Sequence, residues 1–248
     1  MAAVLALAFV GGLVAGSFVT AVAHRVPRDM SIIGPRSVCP HCGAQIAAYD
    51  NVPVVSWVLL RGRGRCCRER ISPLYPLTEL AVGVLFLATV AVYWDDPAEA
   101  VIGLVFVATL AAVTLTDLER RIIPNKILLV GSVLCVAIAA PTDPGGLPER
   151  AIAAAGAGGI LFAAALAYPA GMGLGDVKLA AAMGLFLGRA VAPAMLAALL
   201  AGSIVGVALL LRHGSSARKM AIPFGPFLAI GGVVGLLAGD QLIDLYLG

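Results

Sequence analysis

Apolar runs of membrane-spanning length recur along the whole chain, at 1–23, 75–94, 98–116, 127–140, 150–170, 174–188, 190–211 and 224–247. A helical span takes about 20 predominantly apolar residues, because a core of about 30 Å must be crossed at about 1.5 Å per residue. Inside that core every backbone polar group has to be satisfied internally. At 60% hydrophobic and 12% charged residues, with a mean hydropathy of +0.99, the chain falls outside the composition of soluble domains. We expect an all-α polytopic membrane protein of about eight transmembrane helices. Its first helix covers 1–23, an insert over 24–74 lies outside the membrane between helices 1 and 2, and a transmembrane domain covers 75–248.

Two features of the ends of these runs refine the topology. Ala21-Val22-Ala23 has the form of a signal cleavage site, yet no Lys or Arg precedes the first run, which is also long for the apolar region of a signal. We therefore read 1–23 as a span. If the spans alternate, every Lys and Arg except Arg150 and Arg189 falls on one face, including Arg25, Arg28, Arg36, the cluster Arg61, Arg63, Arg65, Arg68 and Arg70, then Arg120, Arg121, Lys126, Lys178, Arg212, Arg218 and Lys219. The positive-inside rule makes that face cytoplasmic, and the insert with it. The acidic turn Asp95-Asp96-Pro97 then lies on the opposite side.

The same alternation places two carboxylates together on the cytoplasmic side: Asp117 in Thr114-Leu115-Thr116-Asp117-Leu118-Glu119, and Asp176 in Gly173-Leu174-Gly175-Asp176-Val177-Lys178. An ionisable group at a lipid edge is costly and is usually functional. The run 174–188 is short for a span. If it crosses, its start is recessed into a cavity that water can reach, and Gly171, Gly173 and Gly175 permit the backbone needed there. The alternative is an interfacial loop whose Asp176 caps a helix. Asp117 could likewise belong to a solvated helix end anchored by Arg120 and Arg121 at the headgroups. Acid at a helix C-terminus has the wrong sign for the macrodipole, so helix stability does not account for it.

Two carboxylates facing one cavity hold one proton between them over a useful pH range. The ionised one can take a proton from water as it attacks a carbonyl carbon, and the protonated one can donate to the carbonyl oxygen. That is aspartyl peptide hydrolysis, which needs no metal. A transporter using paired acids as a proton relay has the same local chemistry, but inverted hydropathy repeats are not detectable in this chain.

The insert carries a second constellation, Cys39-Pro40-His41-Cys42-Gly43 and the vicinal pair Cys66-Cys67. Clustered thiols in a reducing compartment point to zinc before disulfides, and a thiolate site would staple a loop too small to build its own core. A second Cys-x-x-Cys is not present. Vicinal cysteines have restricted geometry, so Cys39, Cys42, Cys66 and Cys67 form the candidate set, with one of the last two replaceable by His41 or water, and a degenerate loop that holds no metal is the alternative. Cys135, within an apolar run, is read as a core residue. Pro223-Phe224-Gly225-Pro226 opens the last span either as a first-turn device or as backbone lining the cavity for an extended peptide.

In their order, Ser17-Phe18, the Cys39/Cys42 and Cys66/Cys67 thiols, the stretch Ile71 to Leu80, Thr116-Asp117-Leu118-Glu119, Ile123-Pro124-Asn125, Gly173 to Lys178 and Ile222 to Phe227 resemble type IV prepilin peptidases over about residues 11–235. The resemblance implies a multi-pass aspartic endopeptidase of the Gly-x-Gly-Asp kind in the bacterial inner membrane, with Asp117 and Asp176 as its catalytic acids. It implies type IV prepilin or type II secretion pseudopilin precursors as partners, cut after a glycine at the cytoplasmic face to remove a basic leader. It also implies methylation of the new N-terminus with S-adenosylmethionine, with Glu79 and Gly83 in the methyl-transfer region. Membrane lipids are the other expected partner, and nothing points to nucleic acid. Another Gly-x-Gly-Asp intramembrane protease is the related alternative.

Overall fold

A computed structural model of the protein describes every residue except 33, 35, 36, 40, 170, 171, 215–221 and 248. Arg36, Pro40, Gly171, Arg218 and Lys219, each used above, lie outside the described residues. The helices are α1 (Ala2–Arg25), α2 (Val55–Leu59), α3 (Leu74–Val92), α4 (Pro97–Arg120), α5 (Asn125–Thr142), α6 (Leu147–Ala167), α7 (Leu174–Leu187), α8 (Val191–His213) and α9 (Gly225–Leu247). Among the described residues the only β pairing is two isolated bridges, Val38 with Gln45 and Arg63 with Arg70. The protein is all-α and multi-pass, as its hydropathy requires.

Eight of these helices are long, but among the described residues seven apolar stretches reach spanning length, because Leu174–His213 runs through α7 and α8 as one stretch of 40 residues. Gly188, at φ +54, ends α7, in a backbone region that costs glycine little. With 14 residues, α7 is about 21 Å long and shorter than the hydrocarbon core. Helix α4 is better fastened: Asp96 Oδ1 accepts from the N–H groups of Ala98 and Glu99, and Pro97 stands in the first turn. It also runs further than the apolar pattern indicated. Asp117 is therefore inside its last turn, and Arg121 stops it in the left-handed region at φ +55.

Packing divides the chain into two compact units, Met1–Trp94 and Asp95–Gly248. In the first, α1 and α3 meet through small residues: a Cβ on Gly12 would lie 2.7 Å from the Gly83 Cα, and one on Gly16 would lie 2.7 Å from the Glu79 Cα. The hydropathy change at 74/75 and the packing change at 94/95 thus mark different things, since α3 is apolar like the later spans yet packs on α1.

In the second unit α4 packs on α5 and α9, α6 on α7, and α8 on α9. Backbone approach through glycine and alanine recurs here, with Gly235 and Gly239 of α9 set against Ala194 and Ala190. Such close packing is what holds helices together where lipid removes the hydrophobic drive. Phe106, Leu179, Met183, Val113 and Leu228 fill the centre of this unit, and Phe106 stacks on Phe186 at 4.8 Å between ring centroids. Leu7, Leu129, Ile152, Ile160, Leu196, Ile204 and Leu211 stay exposed. Outward apolar side chains on long helices are the arrangement a lipid solvent favours.

Candidate functional site

Asp117 and Asp176 line one cavity of about 270 Å³ in the second unit, together with Arg121, Ile122, Ile123, Asn125, Gly173, Gly175 and Lys178. Three local structures converge to make it. Helix α4 ends at the left-handed Arg121, whose N–H bonds the Asp117 carbonyl at 2.8 Å, and the chain turns out through Ile122 and Ile123 to Pro124. Pro124 starts α5, and Asn125 is its first residue. Gly173 is the extended residue ahead of α7, which puts Asp176 in that helix's first turn.

The two acids are held differently. Asp117 is buried at 6% exposure, and its Oδ2 accepts from the Gly225 N–H at 2.8 Å. Gly225 is the first residue of α9, so Asp117 supplies an acceptor that this helix's first turn lacks. A Cβ at 225 would stand 2.7 Å from that same oxygen, so only glycine allows the approach without a shift. The stretch Pro223-Phe224-Gly225-Pro226 therefore serves a carboxylate as well as a helix start. Asp176 is half-buried, its N–H bonds the Gly173 carbonyl at 3.1 Å, and Gly173 rather than Asp176 is the N-cap. Among the described residues neither Asp117 nor Asp176 takes part in an ion pair.

Two contacts between the motifs are not readable from sequence. Lys178 Nζ donates to Asn125 Oδ1 at 3.0 Å across the cavity wall, linking α7 to the start of α5. Gly175 packs on Ile123, where a Cβ would come within 3.1 Å of the Ile123 Cβ. The Ile-Pro-Asn turn and the Gly-x-Gly-Asp turn are thus two walls of one space. Both motifs were visible in sequence, but not their contact.

In the first unit, Glu79 is buried and its Oε2 accepts from the Val54 N–H at 2.7 Å. Val54 is β-branched and sits at φ +60, an unfavourable conformation that this bond helps to hold. Gly83 lies in the α1–α3 crossing, where an added Cβ would meet Leu13 and Phe9 at 2.9 and 3.1 Å. Here these two residues hold backbone and helix packing.

The four insert thiols come together. Cys39 and Cys42 sit on a tight turn closed by Gly43 N–H to the Cys39 carbonyl, and Cys66 and Cys67 on another closed by Arg68 N–H to the Gly64 carbonyl. All four Sγ atoms lie within 4.8 Å of one another, with Cys39 to Cys67 at 3.6 Å and Cys42 to Cys66 at 3.1 Å. Thiolates about 2.3 Å from a tetrahedral zinc stand about 3.8 Å apart, so the donor set fits that ion. Both vicinal cysteines belong to the cluster, which leaves His41 and water unnecessary as substitutes. Backbone amides of Cys42 and His41 hold the Cys39 thiol down at about 6, whereas hydrogen bonding to Cys42 and Cys39 pushes Cys66 up to about 12.

Comparison with known proteins gives the same division. The bacterial peptidase A24 N-terminal domain family matches residues 10–93, and the type IV leader peptidase family matches 104–211, each within one compact unit. The prepilin leader peptidase/N-methyltransferase of Bacillus subtilis (strain 168) is 33% identical over 98% of this chain and 98% of its own. Proteins of the same name from Aeromonas hydrophila and Burkholderia pseudomallei (strain K96243) are 34% and 36% identical, over 97% and 95% of this chain and 93% and 85% of theirs. No solved structure matches the chain. An ordered motif set, two converging carboxylates and relatives aligned over nearly the full length agree, and the chain belongs to the type IV leader peptidase family.

Proposed function

We propose that the protein cleaves the basic leader from type IV prepilins or pseudopilins, after a glycine at the cytoplasmic membrane face, with Asp117 and Asp176 as the acid–base pair. The observation that carries this is the shared cavity: two acids from separate helices, neither ion-paired among the described residues, line one space at the ends of α4 and α7. The relatives are named for prepilin leader peptidase and N-methyltransferase activities, which supports this substrate class.

In the reaction, one carboxylate takes a proton from water as the water oxygen bonds to the scissile carbonyl carbon, and the other protonates the carbonyl oxygen. Collapse of the resulting diol breaks the C–N bond as the leaving amine receives a proton from the first acid and one diol hydroxyl returns its proton to the second carboxylate. The Gly225 N–H fixes the orientation of Asp117 throughout. Because α7 is short, its first turn stands recessed from the membrane surface, where a pilin precursor passes from cytoplasmic leader to membrane helix. The excess of Lys and Arg on the same face supports a cytoplasmic site in the inner membrane.

The 24–74 insert is proposed as the zinc-stapled methyltransferase region and 75–248 as the peptidase domain. Zinc held by Cys39, Cys42, Cys66 and Cys67 would supply fold rather than reactivity, and S-adenosylmethionine would supply the methyl group for the new N-terminal amine. Glu79 and Gly83 contribute by fastening the Val54 loop and the α1–α3 crossing.

The test is cleavage, by detergent-solubilised protein, of a synthetic precursor with a basic leader, Gly, then Phe. Wild type is expected to release the leader, and Asp117→Asn and Asp176→Asn to release none. Cleavage surviving both substitutions rejects the two-acid mechanism. Mass analysis of the new N-terminus with and without S-adenosylmethionine reads methylation.

A further inference from the structure

The ends of α4 and α7 opposite the cavity are tied to each other through one buried side chain. Arg150, in the first turn of α6, is 8% exposed. Its Nη2 is ion-paired with Glu99 Oε1 in the first turn of α4. Its Nη1 donates to the Phe186 carbonyl at 2.7 Å and the Leu185 carbonyl at 3.4 Å, both in the last turn of α7. These carbonyls are among those a helix leaves without an internal partner, and a cation is favoured at that end. Next to it, Glu149 Oε1 accepts from the Arg189 N–H at 2.9 Å just beyond α7, and Arg189 pairs with Asp240 of α9.

We propose that Arg150 is a positioning residue, a clasp that sets the register of α4 against α7 and thereby the placement of Asp117 and Asp176 at their other ends. The proposal rests on those two acids being the reacting groups. Asp117 is in the last turn of α4 and Glu99 in the first, while Asp176 is in the first turn of α7 and the Arg150-bound carbonyls are in the last. The two helices run antiparallel with one guanidinium across their distal ends.

Stability alone gives weak cause for burying this charge, because a buried ion pair replaced by apolar groups of similar volume is often neutral or stabilising. What an apolar contact does not supply is a directional lock. A planar guanidinium bonding a carboxylate on one nitrogen and carbonyls on another allows one register, whereas packed apolar faces allow sliding. Helix α7 is short, flanked by Gly173 and Gly188 and with Gly175 in its first turn, so a lock on its far end matters more than on a long helix.

The experiment reads placement apart from catalysis. Ile123→Cys and Gly175→Cys create a disulfide reporter across the cavity, since a Cβ at 175 would lie 3.1 Å from the Ile123 Cβ, close to disulfide range. Oxidation is followed in the full-length protein by peptide mapping, with the clasp intact and with Glu99→Leu/Arg150→Met, a pair of changes that leaves no buried charge unpaired. We expect the clasp-free protein to melt cooperatively yet form the 123–175 cross-link more slowly, by about threefold or more. Without the reporter cysteines it should lose about 10²-fold in kcat with KM little changed, the size expected for a misplacement of about 1 Å. Arg150→Lys, which reaches either partner but not both, should fall between.

An unchanged cross-linking rate in a folded clasp-free protein overturns the proposal. If that variant does not fold, the rate is read in Glu99→Ala, which removes the α4 end of the clasp and keeps the carbonyl contacts, and an unchanged rate there overturns it equally. Should Asp117→Asn retain cleavage, the catalytic assignment fails while the cross-linking rates still decide the clasp.

Discussion

In the first unit the chemistry-bearing side chains are committed to the chain itself; in the second, two acids line a cavity, Asp117 with one oxygen tied to the Gly225 amide as well. Glu79 is bound to the Val54 amide, the four insert thiols to one another, and Asp50 to Arg65 by both carboxylate oxygens. Asp117 and Asp176 line a cavity without an ion-pair partner among the described residues. The difference separates groups that keep a shape from groups able to act on a ligand. A buried acid with a structural partner is costly to remove for stability, while an acid at a cavity is costly to remove for chemistry.

The largest expected effect tests that separation. Asp117→Asn or Asp176→Asn should lower precursor cleavage by about 10³-fold or more, the scale of general acid–base assistance, while thermal melting in detergent changes little. Loss of folding in step with activity would put both acids in the structural class. Next in size is Gly225→Ala. The added methyl would meet Asp117 Oδ2 at 2.7 Å, so the carboxylate or the start of α9 must shift. We expect kcat to drop about 10²-fold with a smaller change in KM, and equal kinetics for Ala and Gly would show that the Gly225 contact does not orient the acid.

How much of this was legible in the sequence follows from how local each feature is. Spans are local, and each hydropathy run became a helix whose ends moved by a few residues. Asp117 and Asp176 were visible because acid at the edge of an apolar run is conspicuous. The Gly225 N–H on Asp117 was not, since it joins residues 108 apart and an amide leaves no mark in composition. In sequence Arg150 is only one of two cations on the sparse face, and its pairing with Glu99 depends on α4, α6 and α7 meeting. The vicinal thiols stayed ambiguous because spacing alone left open whether both could join. The turn from Gly64 to Glu69, with Arg68 at φ +59, brings Cys66 and Cys67 into the cluster together.

The committed groups of the first unit should respond in the opposite way to the acids. Chelation, or Cys39→Ser, should remove zinc from the purified protein and open the insert to protease, with cleavage by the second unit retained. Since zinc takes thiolates, uptake releases protons and its affinity weakens as pH falls. The Cys66 and Cys67 thiols are both raised, Cys66 chiefly by hydrogen bonding to Cys42 and Cys39, so both resist the loss of a proton that zinc uptake requires. Retention of zinc by Cys39→Ser would remove Cys39 from the ligand set, and loss of cleavage on chelation would break the separation between the units.

The smallest effect belongs to Asp50 and Arg65. Arg65 donates to both Asp50 oxygens at 2.8 Å and lies over the Tyr49 ring at 5.5 Å, but its side chain is 60% exposed. The Arg65 hydrogen bond holds the Asp50 carboxyl below its ordinary value. A carboxylate depressed on folding adds stability above its unfolded value of about 3.9 and loses it as pH falls through the lower folded value. Asp50→Asn should therefore increase protease sensitivity of the insert slightly at neutral pH, and the difference from wild type should vanish in acid below the folded value. High salt should shrink it as well, because the pair is largely in water. A difference that persists in acid would mean that Asp50 acts through packing or its place in the 48–51 turn rather than through charge. Even this weak pair would then belong with Glu79 and the thiols, as a group whose work is to hold the insert's shape.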